Sequence, residues 1–182
     1  MKVLVLGYGM LGKELVKQTG WDFISRKTHG VEFTEESSYL GYLNDYDIIV
    51  NCIANTDTYS KDKESMWNVN YKGVTKLLGD SYIQLKEKDY LIIRCGHKPN
   101  PFPYPKAFDN VSGNFDYTDI IAGKIIQLIN KNCTGVYNVG TENKTIFDLA
   151  KKSNSNVIPT KSPQHIPTNL EMDIKKMNNK LN

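Results

Sequence analysis

Few of the residues that usually announce a chemistry are present in this chain. Its three cysteines, Cys52, Cys95 and Cys133, are odd in number, far apart and in no ligand spacing. Neither a disulfide framework nor a zinc site is therefore expected, and reduced thiols are. The three histidines, His29, His97 and His165, are scattered without a close pair, which leaves no metal site and makes them surface or structural residues. No apolar run approaches the roughly 18 residues that a membrane helix needs. A net charge of only +3, evenly spread, removes the electrostatic case for a nucleic acid or a membrane surface as partner. Nothing reads as an export signal, because the first residues run straight into a strand-like segment, and a cytoplasmic setting is expected. The 182 residues, 40% hydrophobic and 24% charged, suit one ordinary globular domain with little room for a full second one.

What is present is concentrated at the start, in Met1 to Val16, MKVLVLGYGMLGKELV. The apolar run Val3 to Leu6 is followed by Gly7, Gly9 and Gly12 and then by an amphipathic segment beginning near Met10. The order strand, glycine turn, helix is the G-x-G-x-x-G arrangement that receives a dinucleotide. The first glycine makes the tight turn, the second lets backbone approach a pyrophosphate, and the third lets the helix pack close to the strand. Free N–H groups and the positive dipole end of that helix then face the phosphates. Gly7, Gly9, Met10, Leu11 and Gly12 are accordingly the candidate pyrophosphate-binding residues.

Trp21 to Ile24 reads as a second strand, ending in Ser25, Arg26 and Lys27. A site for NAD usually places a carboxylate here to accept from the ribose 2′-hydroxyl, whereas Arg accommodates a 2′-phosphate. No Asp or Glu stands at 25 to 27, so Arg26 and Lys27 favour NADP(H) as cofactor, with NAD the alternative if these two are simply solvated turn charges. Glu32 has the nominal acidic spacing but sits in Val31 to Thr34, which resembles another strand. Tyr46 to Ala54 carries the near-continuous apolar run of a parallel strand covered on both faces, ending in Asn55, Thr56 and Asp57. Met66, Val69, Gly73, Leu77 and Leu78 then fall at helical spacing.

Further on, Arg94-Cys95-Gly96-His97 leaves a strand that begins at Tyr90. Lys98 to Pro105 holds four of the seven prolines and reads as an extended loop able to cover a ligand. Cys95 and His97 offer a thiol nucleophile with a base, but no third group that would orient them is in view. Tyr117 to Asn130 is a helix by the repeat of Ile121, Ile125, Leu128 and Ile129, with Asp119 stabilising its first turn. From Lys151 onward the chain turns polar, as either a small lobe or a tail.

Gly7 to Gly12, Val50-Asn51-Cys52-Ile53-Ala54 closing a strand, and Val69-Asn70-Tyr71-Lys72-Gly73 on the next helix together resemble the extended short-chain dehydrogenase/reductases. Among them the chain is most similar to the dTDP-4-dehydrorhamnose reductases. Ser112 to Ala122 and Gly135 to Gly140 are similar to a late helix and strand of that family, and Pro167 with Met172 to Lys176 to part of its small substrate lobe. The resemblance implies an α/β, Rossmann-type doubly wound parallel sheet over residues 1–150, truncated relative to the family, with 151–182 as a minimal C-terminal lobe or tail. It implies that Cys52, Ile53, Ala54 and Asn70 also line the cofactor, and that the substrate is a nucleotide sugar, reduced or epimerised.

The family's catalytic region is shortened here. Its members carry Tyr-x-x-x-Lys on one helix face, where the Lys cation lowers the phenol's pKa and the tyrosine donates a proton as hydride arrives. Between Gly73 and Tyr90 this chain has one helix-length segment where the family has two helices, a strand and a loop. An internal deletion that joined the front of one helix to the back of another accounts for this. On that register Tyr71 and Lys76 are the nearest candidates, although a five-residue step is about 140° around a helix and separates their faces. A literal Tyr-x-x-x-Lys occurs at Tyr82 and Lys86, at the far end of the same segment. The alternative to either pair is a set of surface tyrosines in a non-catalytic protein that binds a dinucleotide or a nucleotide sugar. A lost central strand would also leave a sheet edge that a second copy of the chain could fill, so a homodimer is one expected arrangement.

Overall fold

The structure, a computed structural model, describes residues 1–31, 36–53, 84–85, 89–164 and 166–182. The first strand, β1 (Val3–Leu6), is buried along its whole length. It pairs in parallel with β2 (Asp22–Ile24) on one side and with β3 (Ile48–Asn51) on the other, giving the order β2-β1-β3. Leu4 and Leu6 pack with Ile24 and Val31 in one apolar cluster. The opposite face is covered by helix α1 (Met10–Thr19), whose Leu15 is fully buried. Burial on both faces is why β1 reads as a continuous apolar run rather than an alternating one. The expected strand over Tyr46 to Ala54 is shorter, because Tyr46 and Asp47 anchor its approach. The Tyr46 hydroxyl donates to Asp22, and the Asp47 carboxylate accepts from the Lys2 N–H.

Two short helices follow β2 and lead towards β3, α2 (Arg26–His29) and α3 (Leu40–Leu43). A second parallel pair joins β4 (Leu91–Cys95) to β9 (Gly135–Val139). Helix α4 (Thr118–Asn130) lies over it, with Ile121, Ile125, Leu128 and Ile129 in the core that Leu15, Tyr137 and Val139 share. Ile48, Val50, Leu91 and Ile93 pack against that same core, so both parallel units are backed by one apolar layer. Gln18 Nε2 of α1 donates to the Asp119 carbonyl at 3.0 Å and ties the two helices together.

The remaining strands are short. β5 (His97–Lys98) pairs in parallel with β8 (Asp116–Tyr117). β6 (Lys106–Phe108) pairs with β11 (Ile158–Thr160), also in parallel. β7 (Ser112–Gly113) lies between β10 (Lys144–Thr145) and β12 (Asn169–Leu170). With helix α5 (Ile146–Lys151) they enclose a second core of Phe102, Val111, Phe115, Ile146, Leu149 and Val157.

The polar C-terminal stretch is built into the body by backbone pairing. Helix α6 (Lys175–Leu181) buries Met177 against the first core, under α4 and β9. Just before it, Ile174 packs on the same core and the Met172 N–H donates to Asn114 Oδ1 at 2.7 Å. No helix among the described residues is long and apolar enough to cross a membrane.

Candidate functional site

The carboxyl ends of β1, β2 and β3 converge on a cleft of about 280 Å³. It is lined by Gly7, Tyr8 and Gly9 from the turn after β1, by Ser25 to Thr28 from the end of β2 and α2, and by Cys52 and Ile53 after β3. In an open parallel sheet this end of the strands is where ligands bind. The backbone shows why the glycines stand there. Gly7 has φ +91, a conformation that a side chain strains. A Cβ on Gly12 would lie 2.1 Å from the Gly7 carbonyl oxygen, so α1 passes too close to the turn for any other residue. Gly9 has extended backbone and nothing within 4 Å of the place its Cβ would take; the room there is left over by the packing and faces the cleft. Helix α1 starts at Gly9 with no side-chain cap and no acidic residue in its first turn, so its first N–H groups keep their affinity for an anion.

The second wall carries charge of one sign. Arg26 and Lys27 are exposed on α2, and no carboxylate lines the cleft among the described residues. α2 is held by Ser25 at its N-cap, whose Oγ accepts from the Thr28 N–H at 3.3 Å and lies 2.5 Å from the Thr28 hydroxyl. Tyr8 stacks on Phe23 with ring centroids 3.9 Å apart.

Of the cofactor residues expected from the sequence, Gly7, Gly9, Arg26, Lys27, Cys52 and Ile53 come together in this cleft. Met10, Leu11 and Gly12 do not line it. Met10 faces solvent, Leu11 packs on the core, and Gly12 is buried beneath the turn. Ala54 and Asn70, and both candidate catalytic pairs, Tyr71 with Lys76 and Tyr82 with Lys86, lie outside the described residues, as does Glu32. Sequence reasoning missed Tyr8 and Thr28, which face the cleft through loop geometry that no residue spacing encodes.

A thiol nucleophile at Cys95 is not set up. Burial pushes its pKa to about 11, and burial together with the neighbouring Cys95 does the same to Cys52, so both remain protonated and inert near neutrality. His97, lowered by burial and by Lys98, sits 3.3 Å from the Thr118 hydroxyl, and no hydrogen bond joins it to Cys95 among the described residues. No metal-binding group of His, Cys, Asp and Glu is found among them either.

A second cleft of about 410 Å³ opens beyond β4, between the proline loop and the second core. Lys98, Phe102, Tyr104, Phe108, Ile146 and Thr160 are among its lining residues. Burial lowers the pKa of the Lys98 ammonium, which lies 6.0 Å from the Phe115 ring centre. The loop is moored to α4 through Asn100 Nδ2, which donates to the Asp119 carboxylate at 3.3 Å.

No family model matches this sequence, and no curated protein sequence matches it significantly. Solved structures do match, dTDP-4-dehydrorhamnose reductases and nucleotide-sugar epimerases among them. The structure of a hypothetical dTDP-4-dehydrorhamnose reductase from Sulfolobus tokodaii superposes with a TM-score of 0.74 at 19% identity, over 98% of this chain and 94% of that one. A dTDP-4-dehydrorhamnose reductase from Bacillus anthracis, solved with NADP, gives 0.74 at 17% identity over 98% and 91%. The UDP-glucuronic acid 4-epimerase of Bacillus cereus, solved with NAD, gives 0.66 at 17% identity over 100% and 90%. At such identities the likeness is one of fold: the chain folds as these α/β nucleotide-sugar reductases and epimerases do.

Proposed function

We propose that this protein binds NADP(H) in the first cleft and acts as a nucleotide-sugar reductase or epimerase of the dTDP-4-keto-sugar type. The observation that carries the binding reading is the composition of one cleft. The glycine turn, the uncapped start of α1 and the Arg26 and Lys27 side chains meet there, with no carboxylate lining it among the described residues. The pyrophosphate is held by the backbone of Gly7 and Gly9 and by the α1 terminus. Arg26 and Lys27, with the Ser25 and Thr28 hydroxyls beside them, take the ribose 2′-phosphate. The space at Gly9 fits this group, because a side chain there would stand where the phosphates approach. On this reading the two parallel units are halves of one doubly wound Rossmann sheet over residues 1–150, and 151–182 completes the substrate lobe.

The second cleft suits the nucleotide sugar. Tyr104 and Phe108 offer faces to a base, and Lys98 and Lys106 offer cations to a diphosphate. A bound nicotinamide would supply hydride to a carbonyl carbon, and a tyrosine of the 71 to 86 segment would supply the proton to its oxygen.

Calorimetric titration with NADPH and NADH, followed by a dTDP-4-keto sugar with NADPH absorbance as the readout, tests both parts. NADPH binding with turnover is expected. Binding without turnover leaves a non-catalytic dinucleotide-binding protein, and binding of neither dinucleotide removes the whole reading.

A further inference from the structure

His29 belongs to no lining residue of the first cleft, yet three contacts join it to that wall. Its Nδ1 accepts from the Ser25 backbone N–H at 3.2 Å. Its own backbone N–H donates to the Ser25 carbonyl at 2.9 Å, so Ser25 is gripped from both sides of its peptide. Its ring meets the Phe23 ring edge-on, with centroids 5.3 Å apart and planes at 88°. Phe23 in turn stacks on Tyr8. The glycine turn, the end of β2 and the short helix that bears Arg26 and Lys27 are thus fastened through one imidazole.

We infer that His29 is a positioning residue for the dinucleotide cleft, one that fixes the Ser25 to Thr28 turn so that Arg26 and Lys27 meet a 2′-phosphate. This rests on the NADP(H) reading given above. A helix of four residues has too few internal bonds to hold its own geometry, and α2 ends at once in Gly30, whose φ is +65. Its orientation therefore depends on how its ends are tied, and His29, its own last residue, both closes back on the Ser25 N-cap and carries the contact to Phe23 outside the helix. The Ser25 N–H is one of the donors that a helix start leaves without a partner, and the Nδ1 acceptor satisfies it. Acceptance at Nδ1 places the ring proton of the neutral imidazole on Nε2. The apolar edge then packs on Phe23. Hydrogen-bond acceptor and packing edge are separable functions of the one ring.

The test is a pair of substitutions read by titration with NADPH and with NADH. His29→Asn keeps an acceptor near the Nδ1 position and loses the ring. His29→Phe keeps the ring edge and loses the acceptor. The expected result is that His29→Phe weakens NADPH about tenfold, the scale of one lost hydrogen bond at a site of charge recognition, while NADH changes less than about twofold and the selectivity collapses. His29→Asn should hold both affinities within about threefold of the parent. Equal loss of both dinucleotides in His29→Phe, or unchanged NADPH affinity in it, overturns the inference while leaving the NADP(H) reading intact. A parent protein that binds neither dinucleotide overturns both. Melting temperatures of the two variants separate a displaced turn from an unfolded chain.

Discussion

The start of α1 and the start of α5 are built in opposite ways. Helix α5 opens with a capping box: the Thr145 hydroxyl accepts from the Asp148 N–H, and the Asp148 carboxylate accepts from the Thr145 N–H. Helix α1 opens on Gly9 with neither. The same contrast runs through the charges. Around the first cleft Arg26 and Lys27 are exposed, with no lining carboxylate among the described residues. Beside α5, Lys144 is buried and bonded to Asp116 at 2.8 Å and to Glu142 at 2.9 Å. One region closes its helix start with a side-chain cap and buries its lysine, and the other presents an uncapped helix start and two exposed cations at an open cleft. Residue type does not separate them, since both hold helix starts and lysines. What separates them is whether the helix start carries a side-chain cap and whether the cation is buried.

The largest effect is expected where the closed region is opened. Lys144 and Asp116 are only 6% and 11% exposed at their side chains, so Lys144→Met leaves a carboxylate with little water to replace the ammonium. A loss of about 3 kcal/mol in unfolding free energy is expected, read by urea denaturation, with dinucleotide selectivity unaffected. The pair also sets a pH window. Burial works to raise Asp116, but the hydrogen bonds from Lys144, Thr141 and the Tyr117 N–H outweigh it and hold the carboxyl below its usual value. That stability is present above the ordinary carboxylate pKa and fades as pH falls through the lowered one. Burial likewise works to lower Lys144, and Asp116 and Glu142 outweigh it in the raising direction. Its share is complete below the ordinary lysine pKa and is lost only at still higher pH. Lys144→Met should therefore flatten the acid limb of the stability profile; an unchanged acid limb would show that the buried pair does not set it.

Closing the open region comes next. Gly9 has φ −79 and an empty Cβ position, so Gly9→Asp fits the backbone and gives α1 the side-chain cap it lacks. The variant should unfold at equal or slightly higher urea, because Asp in place of Gly at an N-cap gains a few tenths of a kcal/mol at most. Dinucleotide affinity should fall about a hundredfold through charge repulsion and filled space. A variant that is capped and still binds would place the pyrophosphate elsewhere. Arg26→Ala follows, with NADPH weakened about tenfold and NADH nearly unchanged. Equal effects on both would remove Arg26 from the 2′-phosphate role.

The open region was the more legible of the two in the amino-acid sequence, and for a physical reason. A positive φ at Gly7 and a Gly7 carbonyl oxygen 2.1 Å from where a Gly12 Cβ would stand are demands that only glycine meets, so the backbone writes itself into the sequence. The apolar runs of β1 and β4 and the three-and-four repeat of α4 are equally direct. The closed region leaves no such mark. Lys144 sits in the polar stretch Thr141 to Lys144, and its buried partner is 28 residues away. The strands of the C-terminal stretch are joined by backbone pairing, Ile158 with Lys106 and Asn169 with Ser112, which carries no side-chain pattern. The aromatic column of Tyr8, Phe23 and His29 draws on three separate elements, so His29 read only as a surface or structural residue. The candidate catalytic pairs, Tyr71 with Lys76 and Tyr82 with Lys86, lie outside the described residues, and their spacing in the sequence fits two registers equally.

The smallest effect sharpens the comparison from its other side. Thr145→Ala removes one half of the capping box while Asp148 and the burial of Ile146 and Leu149 remain. The Asp148 N–H then turns to water, and a cost of about 1 kcal/mol is expected in urea denaturation. Because α5 borders the second cleft through Ile146, a fraying first turn would also loosen that wall. The first cleft lies on other strands and should keep its NADPH affinity within about twofold. A larger drop there would mean that the two regions are coupled across the two cores.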